Sequence, residues 1–290
     1  MARRQTQQLV HAVLLAAWPL AAAAAQDGAV APLAAGQAST VAALVTQRAA
    51  ARLATTGSIM AWQPRLTALA AGVTQPQVVA RAAEAYAARL AELDASNALD
   101  ADGRFVDRVR HIAAGLIAQA ALDYPETADW SWEIHATAQP EQSADCMAGG
   151  KILVGQDYAE RMGLNDAELA MLLAHEIAHA ALRHNLQEYE LALRLEPARA
   201  SQPFSALWDA VDHDSALMDK LAPLGRAQES EADQAGLLLA VRSGWPPERL
   251  ANYYRKLLRS SDWPALDSAT HPSPLSRWNA VQALAASLQH

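Results

Sequence analysis

One segment restricts this chain more than any other. From Asn165 to Ala181 it reads NDAELAMLLAHEIAHAA. Asn165, with Glu168 three residues on, is the sequence of a helix-opening capping box. Leu169, Leu173 and Ile177 then recur at i, i+4 and i+8, and most of the remaining positions are also apolar. A helix with that pattern has to sit inside a core. It nevertheless carries His175, Glu176 and His179, and ionisable side chains on a buried helix need a reason.

The rest of the chain agrees with a helical setting. Alanine, the best intrinsic helix former, makes up about a quarter of the 290 residues, and phenylalanine occurs only twice. That bias excludes an all-β sandwich or barrel. Thr74 before Pro76 reads as the start of a helix running to about Leu93, and a second helix is expected over Gly103 to Leu122. The period then changes. Trp130, Trp132 and Ile134 alternate with polar residues as a half-buried strand, and Lys151–Val154 follows Gly149-Gly150 as a second short strand. Further helices are expected from about Arg226 to Val241 and from about Pro274. The expected class is α+β and predominantly α-helical. It has a helical N-terminal region (26–128) packed on a core (129–290).

Residues 1–25 read as an export signal: Arg3 and Arg4, an apolar run from Leu9 to Leu20, and Ala23-Ala24-Ala25 as a cleavage site. Retention of this segment as an anchor is the alternative. Cleavage would place the protein in a bacterial periplasm with a net charge of −10, against −8 for the whole chain. Either value argues against nucleic acid as a partner, because phosphate binding rests on clustered Lys and Arg. Cys146 is the single cysteine, so neither a disulfide framework nor a CxxC metal site is available.

His175 and His179 are four residues apart and project from one helix face, so two neutral imidazoles can hold one Zn²⁺, with Glu176 beside them as general base. With 9 His in the chain, HExxH arises by accident in about one sequence in a hundred of this composition. A catalytic zinc needs a third protein ligand and one open position. Glu229 and Asp233, again four apart on an expected helix, are the next candidates. Glu229 would complete a His₂Glu site, and Asp233 would orient a ligand histidine through its free ring nitrogen.

WSWEIHA, then SADCMAGGKILV, AHEIAHAALRHN, Glu229-x-x-x-Asp233, the turn Gly244-Trp245-Pro246-Pro247 and finally His271-Pro272 with Arg277 resemble, in this order, metallopeptidase family 48. These are the gluzincin zinc peptidases of HtpX, BepA and CAAX-endopeptidase type. The resemblance covers about half the chain, from Trp130 to Arg277. It implies a zincin-like core, His175, His179 and Glu229 as zinc ligands, and Glu176 as the catalytic base. Ser143 to Ala148 departs from the family's Asn-Ala-Phe-Ala-x-Pro, which bears on the shape of the substrate groove. Membrane helices of the HtpX type and the tetratricopeptide repeats of BepA have no counterpart here, so a stand-alone periplasmic member is expected.

Several further expectations follow. His271 would bond the oxyanion, gate the metal as a reversible fourth contact, or be a turn histidine. Arg277 would add positive charge to the same intermediate or form an ion pair. Gly149, Gly150, Lys151, Ile152, Leu153 and Val154 would form an edge strand that an extended peptide could join through main-chain hydrogen bonds. His184, five residues past His179, falls off the ligand face and is expected to be structural. Cys146 would be buried and inert, or a thiolate capping the zinc. Asp212-His213-Asp214 would be a solvated turn or part of a mobile cover.

The expected function is a periplasmic zinc endopeptidase with one Zn²⁺ per chain. Its substrates would be unfolded or misassembled envelope proteins, with peripheral association to outer-membrane assembly machinery. The alternative is a chaperone-like protein whose zinc site is latent or structural.

Overall fold

A computed structural model describes residues 72–140 and 142–289. The expected signal segment, and the helical pattern read between Ser39 and residue 71, lie outside the described residues. Within them the chain forms nine α-helices and one three-stranded sheet, a predominantly helical α+β fold. Two long helices come first, α1 (Gln75–Ala95) and α2 (Gly103–Asp123). The strands follow: β1 (Glu133–Thr137), β2 (Ala144–Met147) and β3 (Lys151–Gly155). Next are the short α3 (Gln156–Arg161), the motif helix α4 (Asp166–Ala181) and α5 (His184–Leu195). The chain continues with α6 (Phe204–His213), α7 (Ser215–Arg242), α8 (Pro247–Ser260) and α9 (Pro274–Ser287).

The helix starts follow local chemistry. Asn165 Oδ1 accepts from the Glu168 N–H at 3.1 Å, and Glu168 Oε2 accepts from the Asn165 N–H at 2.9 Å. Both halves of the capping box are therefore made. The Thr74 N–H donates to Gln77 Oε1 at 2.9 Å, and Asp102 caps α2 through the Arg104 N–H. Helix α7 begins at Ser215, eleven residues ahead of the expected start. Asp214 caps it by accepting from the Ala216 and Leu217 N–H groups, and buried Leu217 and Leu221 hold its first turns in place in spite of Pro223. A proline inside a helix costs one hydrogen bond, and this packing outweighs the loss.

The sheet corrects two expectations. Its order is β1-β3-β2, with β1 parallel and β2 antiparallel to β3. Lys151–Val154 is thus the central strand, paired on both sides and buried, and its backbone is not open to a peptide. Gly149 and Gly150, both at φ 82°, turn the β2–β3 hairpin. A Cβ on Gly149 would stand 2.8 Å from Val79, and one on Gly150 would stand 2.6 Å from the Trp132 ring. These glycines close the sheet against its neighbours. The first strand also starts three residues later than its alternation suggests, because the ladder can begin only where β3 begins, at Glu133 opposite Lys151. Trp130 and Trp132 instead pack together, ring centroids 5.3 Å apart, ahead of the strand.

Helix α4 lies at the centre. Leu169, Leu173 and Ile177 are fully buried in a core shared with α2, the sheet, α8, α9 and the second half of α7. Phe105, Val109 and Leu116 of α2 belong to that same core, on the other side of the expected division at 128/129. A second apolar cluster joins α1, α5, α6 and the first half of α7 through Val78, Tyr189, Trp208 and Leu217. Helices α4 and α7 meet backbone to backbone at Gly236, where a Cβ would stand 2.8 Å from the His175 nitrogen. A cleft of about 940 Å³ opens on the motif helix, with residues of both clusters in its walls.

Candidate metal centre

Helix α4 turns His175 and His179 to one side, and their Nε2 atoms are 3.1 Å apart. Close approach of α7 at Gly236 brings Glu229, seven residues earlier on the same face, up to both rings. Glu229 Oε1 is 3.3 Å from His179 Nε2, and Oε2 is 3.4 Å from His175 Nε2. Zinc–ligand bonds of about 2.0–2.1 Å at tetrahedral angles place two donors about 3.3–3.4 Å apart, which these separations approach. Glu229 Oε2 is buried and accepts no hydrogen bond, and its one close guanidinium neighbour, Arg277 Nη2, stands 3.2 Å away, so the oxygen has a lone pair to offer a metal ion. The donor types, their spacing and this lone pair all fit a zinc ion.

The charges in this group are tightly coupled. Burial opposes a charge on His175, yet the Glu229 and Asp233 carboxylates raise its pKa to about 10. Burial lowers His179 to about 4, with Glu229 opposing and His175 and His184 adding to the fall. Burial also works against ionised Glu229, but the two histidines hold its carboxyl well below the usual range. Glu176 lines the cleft beside the group, and burial pushes its carboxyl up to about 8. His175 and Arg277 oppose that rise, while Glu229 and Asp145 add to it.

Asp233 stands behind His175, with its Oδ1 3.0 Å from His175 Nδ1. Tyr254 donates to it at 2.7 Å, and Arg277 grips it through Nε at 2.8 Å and Nη2 at 2.6 Å. Arg277 Nη2 also stands 3.2 Å from Glu229 Oε2. Of the two readings of Arg277, the geometry is that of the ion pair, on both carboxylates of α7. His271 lies in the loop between α8 and α9. Its Nδ1 meets Thr270 Oγ1 at 2.7 Å, and its Nε2 is 3.4 Å from Glu229 Oε2.

Of the six residues read as a substrate strand, Gly149 to Val154, only Leu153 borders the cleft. Among the described residues β2 is the edge strand on this side, and its Asp145, Cys146 and Met147 line the cleft. Cys146 is buried, and burial pushes its thiol well above the ordinary range, with Glu176 and Asp145 adding to the effect. In the metal-free protein that environment favours the neutral, unreactive thiol. Asp212 borders the cleft and Asp214 is a helix cap.

His184, expected to be structural, lies outside the metal group, but the sequence did not show that its ring touches His179. Helix α4 ends at Ala181, and Arg183 adopts a left-handed conformation at φ 59°. Helical spacing therefore no longer applies at His184, and its ring swings back onto His179 with Nδ1 to Nδ1 at 2.9 Å. Tyr158 and Tyr253, paired through their hydroxyls at 3.1 Å, are further cleft residues with no local sequence signal.

Two histidines flanking a glutamate on one helix, joined by a glutamate from a second, are the side-chain set of a gluzincin-type metallohydrolase. The chain belongs to peptidase family M48, whose model matches residues 106–285. It is 32% identical over 148 residues to the mitochondrial metalloendopeptidase OMA1 of Arabidopsis thaliana, covering 51% of this chain and 30% of that one. It is also 33% identical over 127 residues to the β-barrel assembly-enhancing protease of Yersinia pestis, covering 39% and 26%. The Escherichia coli protein of that name is 28% identical over 151 residues, covering 47% and 31%. The matches thus span about a third or less of these relatives.

Proposed function

We propose that this chain is a zinc-dependent endopeptidase of the periplasm that cuts unfolded or misassembled envelope proteins. The observation that carries the reading is the trio His175, His179 and Glu229 at tetrahedral spacing, with Glu176 at its side in an open cleft. A zinc ion held by that trio would polarise a scissile carbonyl and lower the pKa of a water molecule. Glu176 takes the proton of the attacking water and returns it to the leaving amine. His271, with Nε2 turned toward Glu229, supplies an N–H to the developing oxyanion. Arg277 acts one step back, holding Asp233 and Glu229 in place.

An extended substrate adds to the edge strand β2 through its main chain, which gives affinity with little sequence preference. Unfolded chains are the substrates that offer such segments. The export signal read at residues 1–25 supports the periplasm, and no described helix is long and apolar enough to cross a membrane. The name of the β-barrel assembly-enhancing relatives supports peripheral association with outer-membrane assembly machinery.

A second reading is favoured by His271. Its approach to Glu229 lets the imidazole close the remaining metal position, leaving a latent protein that binds clients without cutting them. Casein digestion by protein lacking residues 1–25, with elemental analysis, separates the two. One zinc per chain and chelator-sensitive cleavage, abolished in Glu176→Gln with the metal still bound, supports the endopeptidase. Zinc without cleavage in the parent, together with cleavage in His271→Ala, supports latency.

A further inference from the structure

The His184 ring is 2% exposed and stacks edge-on against His179, centroids 4.8 Å apart at 84°. His179 turns Nε2 toward Glu229 and His175, so Nε2 is its ligating atom. A neutral imidazole that ligates through Nε2 carries its single proton on Nδ1. That N–H points at His184 Nδ1, 2.9 Å away. The contact is a hydrogen bond only if His184 accepts there, which puts the His184 proton on its own Nε2. This Nε2 is buried and lacks a hydrogen-bond partner among the described residues. The nearest carboxylate oxygen is Glu231 Oε2 at 3.5 Å, on a half-exposed side chain that a small rotation brings into range.

The two ligand histidines are therefore backed differently. His175 leans directly on Asp233, whereas His179 is followed by an imidazole and then a carboxylate. We propose that His184, backed by Glu231, is the positioning residue for the second metal ligand. It fixes the tautomer and ring orientation of His179 and so sets metal affinity. This rests on the reading of His179 as a zinc ligand. The backbone of His184 is anchored independently of its ring, because Gln228 Nε2 donates to the His184 carbonyl at 3.0 Å. The ring can therefore be exchanged while α5 stays tied to α7 next to Glu229.

Zinc competition against a chromogenic chelator, on the purified protein, tests the proposal, and the cobalt-substituted absorption spectrum is the second readout. His184→Phe keeps a ring and loses the acceptor; zinc binding is expected to weaken by about 10–100-fold, with shifted cobalt bands. His184→Asn offers Oδ1 where Nδ1 stood, and it is expected to restore affinity to within about threefold of the parent with the parental spectrum. Glu231→Gln is expected to fall between the two. A His184→Phe protein that binds zinc as tightly as the parent overturns the proposal, as does a His184→Asn protein as weak as His184→Phe.

Should His184→Phe not fold, ¹⁵N spectra of the zinc-loaded parent decide the matter. Protons on His179 Nδ1 and His184 Nε2 are expected, and the opposite tautomer in either ring overturns it. A parent that binds no zinc overturns the metal site itself. A zinc-loaded parent matched by His184→Phe overturns only the positioning role.

Discussion

Adding one carbon at Gly236 tests whether the contact between α4 and α7 sets the metal site. A Cβ there would stand 2.8 Å from the His175 nitrogen and 2.9 Å from both the Ala174 carbonyl carbon and the His175 Cα. All three are backbone atoms, so no side chain can rotate away. Ordinary contact is about 3.5–4.0 Å, so the two helices have to part by roughly 0.7 Å. Overpacking of this kind costs about 1–3 kcal/mol, and the better helix propensity of alanine returns about 1 kcal/mol. Gly236→Ala should thus lose only about 0–2 kcal/mol of stability.

The metal is less forgiving than the fold. Glu229 rides on the same face of α7, and ligand distances tolerate only about 0.2 Å. We expect a loss of zinc affinity of tenfold or more, measured by chelator competition, alongside a small shift in the denaturation midpoint of the metal-free protein. Gly115→Ala is the matched control. Nothing lies within 4 Å of that position on α2, and alanine there should stabilise by about 0.5–1 kcal/mol with zinc binding unchanged. A Gly236→Ala protein as stable as its parent, with equal zinc affinity, would refute the argument that this backbone contact sets the reach of Glu229.

Two other perturbations follow from the buried charges. Arg277→Met leaves Asp233 and Glu229 without their cation and should cost about 3–5 kcal/mol in thermal or chemical denaturation, with Arg277→Lys intermediate because lysine cannot make the paired contact. Burial works against the Asp233 carboxylate, but Arg277 and His175 bring it down to about 2. Its contribution to metal-free stability is therefore complete above the unfolded pKa near 3.9 and is lost as pH falls toward 2; in Arg277→Met that acid loss should begin at higher pH. Asp145 has the opposite sign. Burial raises it to about 7 against the pull of Arg89 and Gln142, so its contribution is intact below about pH 4 and lost as pH rises through 7. Asp145→Asn should gain on the parent by about 2–3 kcal/mol between pH 5 and 8, and a gap that stays constant with pH would contradict this.

What could be read from the sequence was whatever depends on neighbours along the chain. The Asn165–Glu168 box, the four-residue steps of His175–His179 and Glu229–Asp233, and the start at Thr74 are each set within one or two helical turns. What could not be read depends on single backbone angles or on distant partners. Arg183 in the left-handed region reverses the direction in which His184 points, and nothing about arginine announces that. The apolar run KILV suits an edge strand or a central strand equally, and only the arrival of β1 and β2 on its two sides decides. Gly236 had a signal that went unused: a glycine inside a helix costs about 1 kcal/mol relative to alanine, and such a position usually has a packing reason.

Helix α7 runs through both apolar clusters, with Leu217 and Leu221 in one and Leu237 and Leu239 in the other. Met218, Leu221 and Gly225 of its first half face the cleft, while Glu229, Asp233 and Gly236 of its second half face the motif helix. Pro223 falls within the first stretch, between Leu221 and Gly225, where the helix has already lost a hydrogen bond. One rod thus carries two vocabularies. Its residues up to Gly225 shape the cleft wall, whereas those from Glu229 to Gly236 set the carboxylates and the contact with the motif helix. The width of the cleft and the reach of the carboxylates are thus set at separate addresses along a single helix.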